Sequence, residues 1–335
     1  MSRPTIRDVA ALAGVSHQTV SRVINESEQV RPQTRARVSE AIAQLSYQPS
    51  AVAQSMAKGR TGMLACIAPN LLDFTFSSII EGAQTAAREQ GYFLLAASAP
   101  DEESFHQLVE ELLTSGRTEG LMVIDPYVAE LSRNVPSEYP IVFAGGGAHL
   151  NQPLVNTVVL DDETAALMAT RHLLELGHTQ IAMVTGPRLE VCTQKRILGF
   201  ERALHGRQLP IRPEWMVEGD WSAEAGYSAG MALLGGGERP TAVFVQNDQM
   251  AVGLFQAARA HGLDLPTQLS VIGIDDIPLA AYFCPPLTTM RQDFQRIGRE
   301  AIRLLARTVA DPTTPSEQVR LPVTLVARGS TAVKN

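Results

Sequence analysis

The spacing of hydrophobic residues changes once along the chain, near residue 61. Before that point, apolar side chains recur three and four residues apart in short stretches, which is the period of amphipathic helices. After it, short apolar runs alternate with amphipathic stretches such as 102–113, where Phe105, Leu108 and Leu112 share one face. Alternation of this kind is typical of parallel α/β folds. The pattern predicts a small all-α unit followed by an α/β core.

Local signals mark the helices of the N-terminal part. Thr5 and Asp8 form a capping-box pattern that opens one helix, and Gly14 permits a sharp turn after it. Ser16 is suited to cap a second helix, and Pro32 begins a third. Two short helices joined by a glycine-containing turn form a helix-turn-helix motif.

The second of these helices has an inward and an outward face. Its inward face is aliphatic and consists of Val20, Val23 and Ile24. His17, Gln18 and Arg22 then point outward. Glutamine can pair with an adenine edge and arginine with a guanine edge, so this face is suited to reading DNA bases. Small polar side chains nearby are suited to phosphate contacts, and they are Thr5, Ser16, Thr19, Ser21, Asn25 and Thr34.

The α/β part contains eight apolar runs that predict strands. They lie at 63–68, 92–97, 120–124, 140–144, 157–160, 180–185, 241–245 and 270–274. Two successive sets of strands and helices predict two similar subdomains with a cleft between them. Ligands bind open α/β sheets beyond the C-terminal ends of the strands. Asn247 and Asp275 follow two runs closely and are candidate ligand contacts, although a role as a helix cap or turn residue also fits each of them.

Charge is distributed unevenly between the two parts. Residues 1–60 contain eight Lys and Arg against four acids, which gives a net charge of +4. Because the whole chain has a net charge of −7, the remaining residues have a net charge of −11. A basic segment joined to an acidic body is typical of a nucleic-acid reader attached to another module. Three widely spaced cysteines, Cys66, Cys192 and Cys284, favour reduced structural thiols over a disulfide or metal framework. No cofactor and no metal are predicted.

The stretch IRDVAALAGVSHQTVSRVIN, residues 6–25, and the chain through Ala57 resemble the headpiece and hinge of LacI/GalR-family transcription regulators. The resemblance continues through the body to about Arg328. It implies a helix-turn-helix DNA-binding headpiece, a hinge helix with a linker, and a periplasmic-binding-protein-like core for effector binding and dimerisation, at 1–48, 49–60 and 61–331. Within that core it implies two parallel-sheet subdomains, about 61–160 with 292–319 and about 161–291 with 320–331.

The segment from Pro49 to Gly59 predicts a helix of seven or eight residues, which is too short to be stable alone in water. In the family, two such hinge helices pair in the DNA minor groove, where an apolar side chain pries apart a base step. By this resemblance Met56 is the wedge, a role that methionine can fill. The small contacts beside it are Val52, Ala53 and Ala57. A plain flexible linker is the alternative.

The resemblance also assigns a set of body residues to a small sugar effector. The matching positions are Arg196, Trp221, Asn247 and Asp275. Trp221 offers a flat apolar surface to a sugar ring, and the other three side chains can exchange hydrogen bonds with hydroxyls. The N-terminal wall of the pocket is predicted to consist of Asn70, Phe74 and Phe76. At Gly145 and His17 the chain departs from a family member that it resembles, which has a sugar-binding aspartate and a tyrosine there, so neither the sugar nor the operator of that member carries over.

The same resemblance implies a homodimer that binds double-stranded operator DNA of roughly palindromic sequence. A small carbohydrate is the expected effector, acting allosterically on operator affinity. The sequence has no signal peptide and no uncharged apolar stretch of about 18 residues, so we expect a cytoplasmic protein without membrane contact.

Other classes of function fit parts of the sequence. A corepressed regulator, or one assisted by a phosphocarrier protein, would bind DNA more tightly with its partner. A solute-binding protein or an enzyme could use the same α/β core. However, residues 145–147 lack the spacing of a dinucleotide-binding loop, and no nucleophile with a base stands out. The sequence therefore predicts a repressor rather than an enzyme.

Overall fold

The computed structural model of the protein describes residues 4–25, 29–48, 60–124, 139–145 and 155–334. Contacts between residues divide the chain into two units, Met1–Gly62 and Met63–Asn335. The four predicted hinge contacts lie outside the described residues; they are Val52, Ala53, Met56 and Ala57.

The first unit contains three helices, which are α1 (Ile6–Ala13), α2 (His17–Ile24) and α3 (Pro32–Gln44). The Asp8 carboxylate accepts from the amide and the hydroxyl of Thr5, at 2.8 Å each, and these bonds lower the pKa of Asp8. Gly14 ends α1 in the left-handed conformation, with a φ of 61°. Ser16 caps α2 by accepting from the Thr19 amide at 3.2 Å. The three helices therefore begin where the local signals predict, and α1 ends at the predicted turn.

Aliphatic side chains hold these three helices together. Val9, Val20 and Val38, one from each helix, are fully buried at the centre of the unit. Smaller side chains, such as Ala10 and Ala41, let the helices approach closely around them. Because helices this short are marginal alone, the shared core stabilises all three.

The second unit has twelve strands among its described residues. In chain order they are β1 (Met63–Ala68), β2 (Phe93–Ser98), β3 (Leu121–Val123), β4 (Ile141–Ala144), β5 (Asn156–Leu160), β6 (Ile181–Thr185), β7 (Met216–Glu218), β8 (Ala242–Val245), β9 (Ser270–Asp275), β10 (Thr288–Arg291), β11 (Gln318–Leu321) and β12 (Thr324–Val326). They form two sheets of six strands, in the orders β11-β5-β4-β3-β1-β2 and β12-β10-β9-β8-β6-β7. Every pairing is parallel except that of β10 with β12.

Seven helices cover the faces of these sheets within the described part of the second unit. They are α4 (Phe74–Glu89), α5 (Glu102–Ser115), α6 (Asp162–Glu175), α7 (Val191–His205), α8 (Ala223–Leu234), α9 (Asp248–Ala260) and α10 (Phe294–Ala310). Helix α10 packs on α4, α7 on α6, and α9 on α8. The first of these pairs is close because Gly82 and Gly298 lie against the backbone of the opposite helix, where a Cβ atom would collide. In the described residues no helix is both long and apolar enough to cross a membrane.

The chain passes between the two sheets three times, and these passages place the cleft. It leaves the first sheet after β5 and enters the second through α6. It returns after β10 into α10, which packs on β4 and β5. It crosses again between β11, paired with β5, and β12, paired with β10. The C-terminal ends of strands from both sheets therefore border one cavity.

Candidate functional site

A cavity with an empty volume of about 700 Å³, counting its open mouth, lies beyond the C-terminal strand ends of both sheets. The first sheet and its helices contribute mainly apolar side chains to its wall, namely Phe76, Ile79, Ile124, Leu160 and Phe294. The second sheet and its helices contribute most of the polar ones, namely Glu190, Arg196, Asn247 and Asp275, together with Trp221. A volume of this order suits a small organic ligand.

Arg196, on α7, is held in place by buried acceptors. Its Nε and Nη2 atoms both lie 2.8 Å from Asp162 Oδ1, and its Nη1 donates to the Gln246 carbonyl at 2.5 Å. Burial opposes the charge of this guanidinium, but the nearby groups Asp162, Cys192 and Asp275 together outweigh that effect, Asp162 most of all, and raise the pKa of Arg196. The guanidinium is therefore a fixed, permanently charged group whose charge is largely balanced from behind.

The Trp221 ring forms one wall of the cavity. Its indole Nε1 donates to both carboxylate oxygens of Glu190, at 2.9 and 3.0 Å. The guanidinium carbon of Arg196 lies 5.6 Å from the ring centroid. Gly186 lies so close to the ring that a Cβ atom there would overlap it. Trp221 itself has a φ of 74°, unusual for a large side chain, so the surrounding contacts fix its position.

Asn247 caps helix α9, which is the structural alternative that the sequence analysis gave for it beside ligand contact. Its Oδ1 accepts from the Met250 amide at 2.8 Å, and its Nδ2 donates to the Trp221 carbonyl at 3.1 Å. The side chain thus ties the end of β8 to the residue that carries the cavity's aromatic wall. It lines the cavity as well.

Asp275 is the last residue of β9 and is 7% exposed, with a φ of 120°. Burial raises its pKa well above the ordinary value, while the nearby Arg196 opposes that rise. Behind it, the Asp248 carboxylate accepts from the Thr289 hydroxyl at 2.6 Å and from the Ile277 amide at 3.0 Å. Burial also raises the pKa of Asp248, to about 7. Asp248 supports the loop after β9 without lining the cavity.

Of the predicted N-terminal wall, only Phe76 lines the cavity. The Asn70 side chain instead accepts from the amides of Leu72 and Asp73, at 3.0 and 2.8 Å, and so shapes the turn before α4. Phe74 packs edge-on against Phe294, with ring centroids 6.1 Å apart. Asn70 and Phe74 therefore do not line the cavity themselves, because their side chains make these local contacts beside its wall.

Several lining residues were missed by the sequence reasoning, among them Asp73, Thr75, Glu190, Cys192, Gln292 and Phe294. Gln292 follows β10, so the strand-end rule would have found it if that short polar strand had been predicted. Glu190 precedes α7 and was not separable from an ordinary helix-start residue. Cys192 lines the cavity as an inert thiol, since burial raises its pKa to about 12.

In the first unit, the three predicted base-reading side chains, His17, Gln18 and Arg22, are exposed on one face of α2. The polar residues around them are exposed or partly buried. The Ser16 hydroxyl already serves the cap and a contact of 2.9 Å with the Thr19 hydroxyl, and Asn25 donates to Ser21 at 3.4 Å. Such a face, on the second helix of a helix-turn-helix, is suited to the DNA major groove.

A helix-turn-helix unit joined to a two-sheet core, whose cavity has an apolar and a polar wall, defines a ligand-regulated DNA-binding protein. Comparison with known families agrees. Residues 5–50 match the bacterial regulatory proteins of the lacI family, and residues 170–331 match the periplasmic binding protein-like domain. The chain belongs to the lacI family of bacterial regulatory proteins. It is a DNA-binding transcriptional repressor with a ligand-binding core, and not an enzyme.

Individual relatives cover nearly the whole chain. The HTH-type transcriptional repressor PurR of Aliivibrio fischeri (strain MJ11) is 34% identical over 97% of this chain and 98% of its own. The lac repressor dimer bound to operator and the anti-inducer ONPF is 32% identical, with a TM-score of 0.89 over 99% of this chain and all of that one. The transcriptional regulator CelR in complex with cellobiose is 30% identical, with a TM-score of 0.76 over 98% of this chain and 100% of that one.

Proposed function

We propose that this repressor is a cytoplasmic homodimer whose affinity for a roughly palindromic operator is lowered by a small carbohydrate bound in the cavity. The observation that best supports a carbohydrate effector is the lining of the cavity. It combines the Trp221 ring with the polar side chains of Arg196 and Asp275. An aromatic face and converging polar groups together suit the apolar and hydroxyl-bearing parts of a sugar ring.

On the effector side, Arg196, Trp221, Asn247 and Asp275 are the proposed principal contacts, with Phe76 in the opposite wall. Asn70 and Phe74 are proposed to act through the turn and the aromatic pair that shape this wall. The cellobiose complex of a regulator of similar fold supports a carbohydrate rather than another small molecule.

On the DNA side, His17, Gln18 and Arg22 are proposed to read bases in the major groove. The proposed phosphate contacts are Thr5, Ser16, Thr19, Ser21, Asn25 and Thr34. The hinge around Met56, with Val52, Ala53 and Ala57, is proposed to enter the minor groove. Support for this arrangement comes from the exposure of the α2 face and from the similar lac repressor dimer, which is bound to operator.

Coupling between the two functions is proposed to run through the cavity, because its wall comes from both sheets. A ligand that contacts both halves favours one relative arrangement of them over another. To lower operator affinity a thousandfold, it must favour the weakly binding arrangement by about 4 kcal/mol. A few hydrogen bonds and one aromatic contact are enough to supply that difference.

The test has two stages. A thermal-shift screen of mono- and disaccharides identifies compounds that bind the native protein, because such compounds raise its melting temperature. Operator duplexes selected from random DNA are then titrated by fluorescence anisotropy with and without each hit. We expect a hit that releases DNA. A hit that tightens DNA binding would instead identify a corepressor. A screen without hits would refute the proposal that the effector is a carbohydrate.

A further inference from the structure

Acidic side chains outnumber basic ones in the lining of the cavity. Within the described residues the charged groups of this lining are the carboxylates of Asp73, Glu190 and Asp275 and the guanidinium of Arg196. Asp275 and Glu190 are buried, at 7% and 6% exposure, so water screens charges there weakly. Burial raises the pKa of Asp275, Arg196 opposes this rise, and the Asp248, Asp73 and Asp162 carboxylates add to it, as expected where acidic groups outnumber basic ones.

Arg196 offsets part of this acidic field, as its opposing effect on the pKa of Asp275 shows, and its pairing with Asp162 limits how much of it one guanidinium can offset. Asp162 does not line the cavity but lies directly behind Arg196, and the two side chains are 5% and 8% exposed. The Nε and both terminal nitrogens of the guanidinium are engaged by Asp162 and by the Gln246 carbonyl. A ligand anion would therefore meet a cation whose charge is already paired with Asp162, while the two N–H groups left over can still donate to a hydroxyl.

The remaining hydrogen-bonding capacity of the cavity is mainly that of acceptors. Gln292 is 4% exposed, and its Nε2 faces Asp162 Oδ1 at 3.5 Å. A flipped amide would place two oxygens together, so the amide orientation is set by that carboxylate. Its Oε1 has no hydrogen-bond partner in the described residues. Asp275 likewise receives no side-chain donor there, so a ligand that supplies hydroxyl or amine hydrogens would complete the site.

We infer that the cavity takes a carbohydrate without an anionic group and rejects the phosphate ester or the acid of the same sugar. This inference rests on the proposed function and adds the charge class of the effector. It also gives the effector a place in metabolism, because a regulator with this cavity senses a sugar before a phosphoryl-transfer step rather than after it. Asp162 is the positioning residue for this selectivity, acting through Arg196.

The first experiment needs no identified effector. The sequence has two tryptophans, and Trp215 is buried, so Trp215→Phe leaves Trp221 as the single reporter in the cavity wall. Its fluorescence is quenched with caesium ion, iodide or neutral acrylamide at matched ionic strength. Caesium should quench better than iodide, each relative to acrylamide. If Trp215→Phe does not fold, the difference between wild type and Trp221→Phe gives the same reading. Equal or better quenching by iodide would overturn the acidic cavity.

The second experiment compares matched ligands by calorimetry. The probes are glucose, galactose and glucosamine against glucose 6-phosphate, galactose 6-phosphate and gluconate, with cellobiose as the disaccharide. An anionic member should bind about tenfold or more weakly than its uncharged parent. Asp162→Asn should reduce this discrimination, because it leaves the Arg196 charge unbalanced. Glu163→Gln, next to it on α6, removes an exposed pair with Arg202 and should leave discrimination unchanged.

The outcomes separate the two proposals. A phosphate ester that binds more tightly than its parent would overturn the charge selectivity while leaving a carbohydrate-responsive repressor in place. Equal discrimination in Asp162→Asn and wild type would remove the role of Asp162. If none of these compounds binds but caesium remains the better quencher, the acidic cavity stands and the carbohydrate proposal fails.

Discussion

Replacing Arg196 by methionine should destabilise the core strongly, because it leaves a buried carboxylate without its partner. The Arg196 and Asp162 side chains are 8% and 5% exposed and are joined by contacts of 2.8 Å. Breaking a buried pair by removing one member typically costs about 3–5 kcal/mol. For a unit of this size, such a loss corresponds to a fall in melting temperature of about 10 °C.

The same two helices provide a matched control. Arg202 lies on α7 and pairs with Glu163 of α6 at 2.6 Å, but these side chains are 69% and 36% exposed. Arg202→Met should therefore cost at most about 1 kcal/mol. Calorimetric melting and urea unfolding of both variants test the difference. Adding Asp162→Asn to Arg196→Met should recover part of the loss, because it removes the stranded charge. Equal melting temperatures for Arg196→Met and Arg202→Met would refute the reasoning.

Three other changes test separate parts of the molecule. Arg22→Ala should weaken operator binding by about 1–3 kcal/mol in fluorescence anisotropy and affect unrelated DNA less, and equal losses on both DNAs would argue against base reading. Trp221→Ala should abolish thermal stabilisation by the effector carbohydrate but retain operator binding, and persistent stabilisation would locate the ligand elsewhere. Because burial raises the pKa of Asp248 from 3.8 to about 7, the folded protein keeps a proton that the unfolded chain loses. Stability should therefore fall as the pH rises from about 4 to about 7, and Asp248→Asn should flatten this fall in urea titrations; an unchanged slope would contradict it.

The sequence predicted the strands that are continuous apolar runs, including the largely exposed β2, and missed short strands of mixed composition, including the buried β10. All eight apolar runs contain a strand. The four missed strands are β7, β10, β11 and β12, which have three or four residues each. Three of them lie at sheet edges, where one side is open to solvent and polar residues are tolerated. Hydrophobic pattern reports burial, so an edge strand such as Gln318–Leu321 leaves little signal.

The candidate site divides in a similar way. Helix caps such as Ser16 depend on neighbours within three residues, and the structure contains this cap as expected. Asn247 and Asp275 were found because each follows a recognisable strand. The link between Asp162 and Arg196 joins positions 34 residues apart, and Gln292 meets Asp162 across 130. No local pattern encodes such pairings, because they arise only when α6, α7 and β10 pack together around the second sheet.

The contact between Trp221 and Gly186 shows that a residue can shape the cavity without lining it. Because the ring lies against a position without a side chain, even a methyl group at 186 would overlap it and force it to shift. A single change there would reshape the cavity wall without replacing any of the polar side chains that line it. Ligand size could therefore diverge between related repressors through a position that a comparison of ligand-contacting residues alone would overlook.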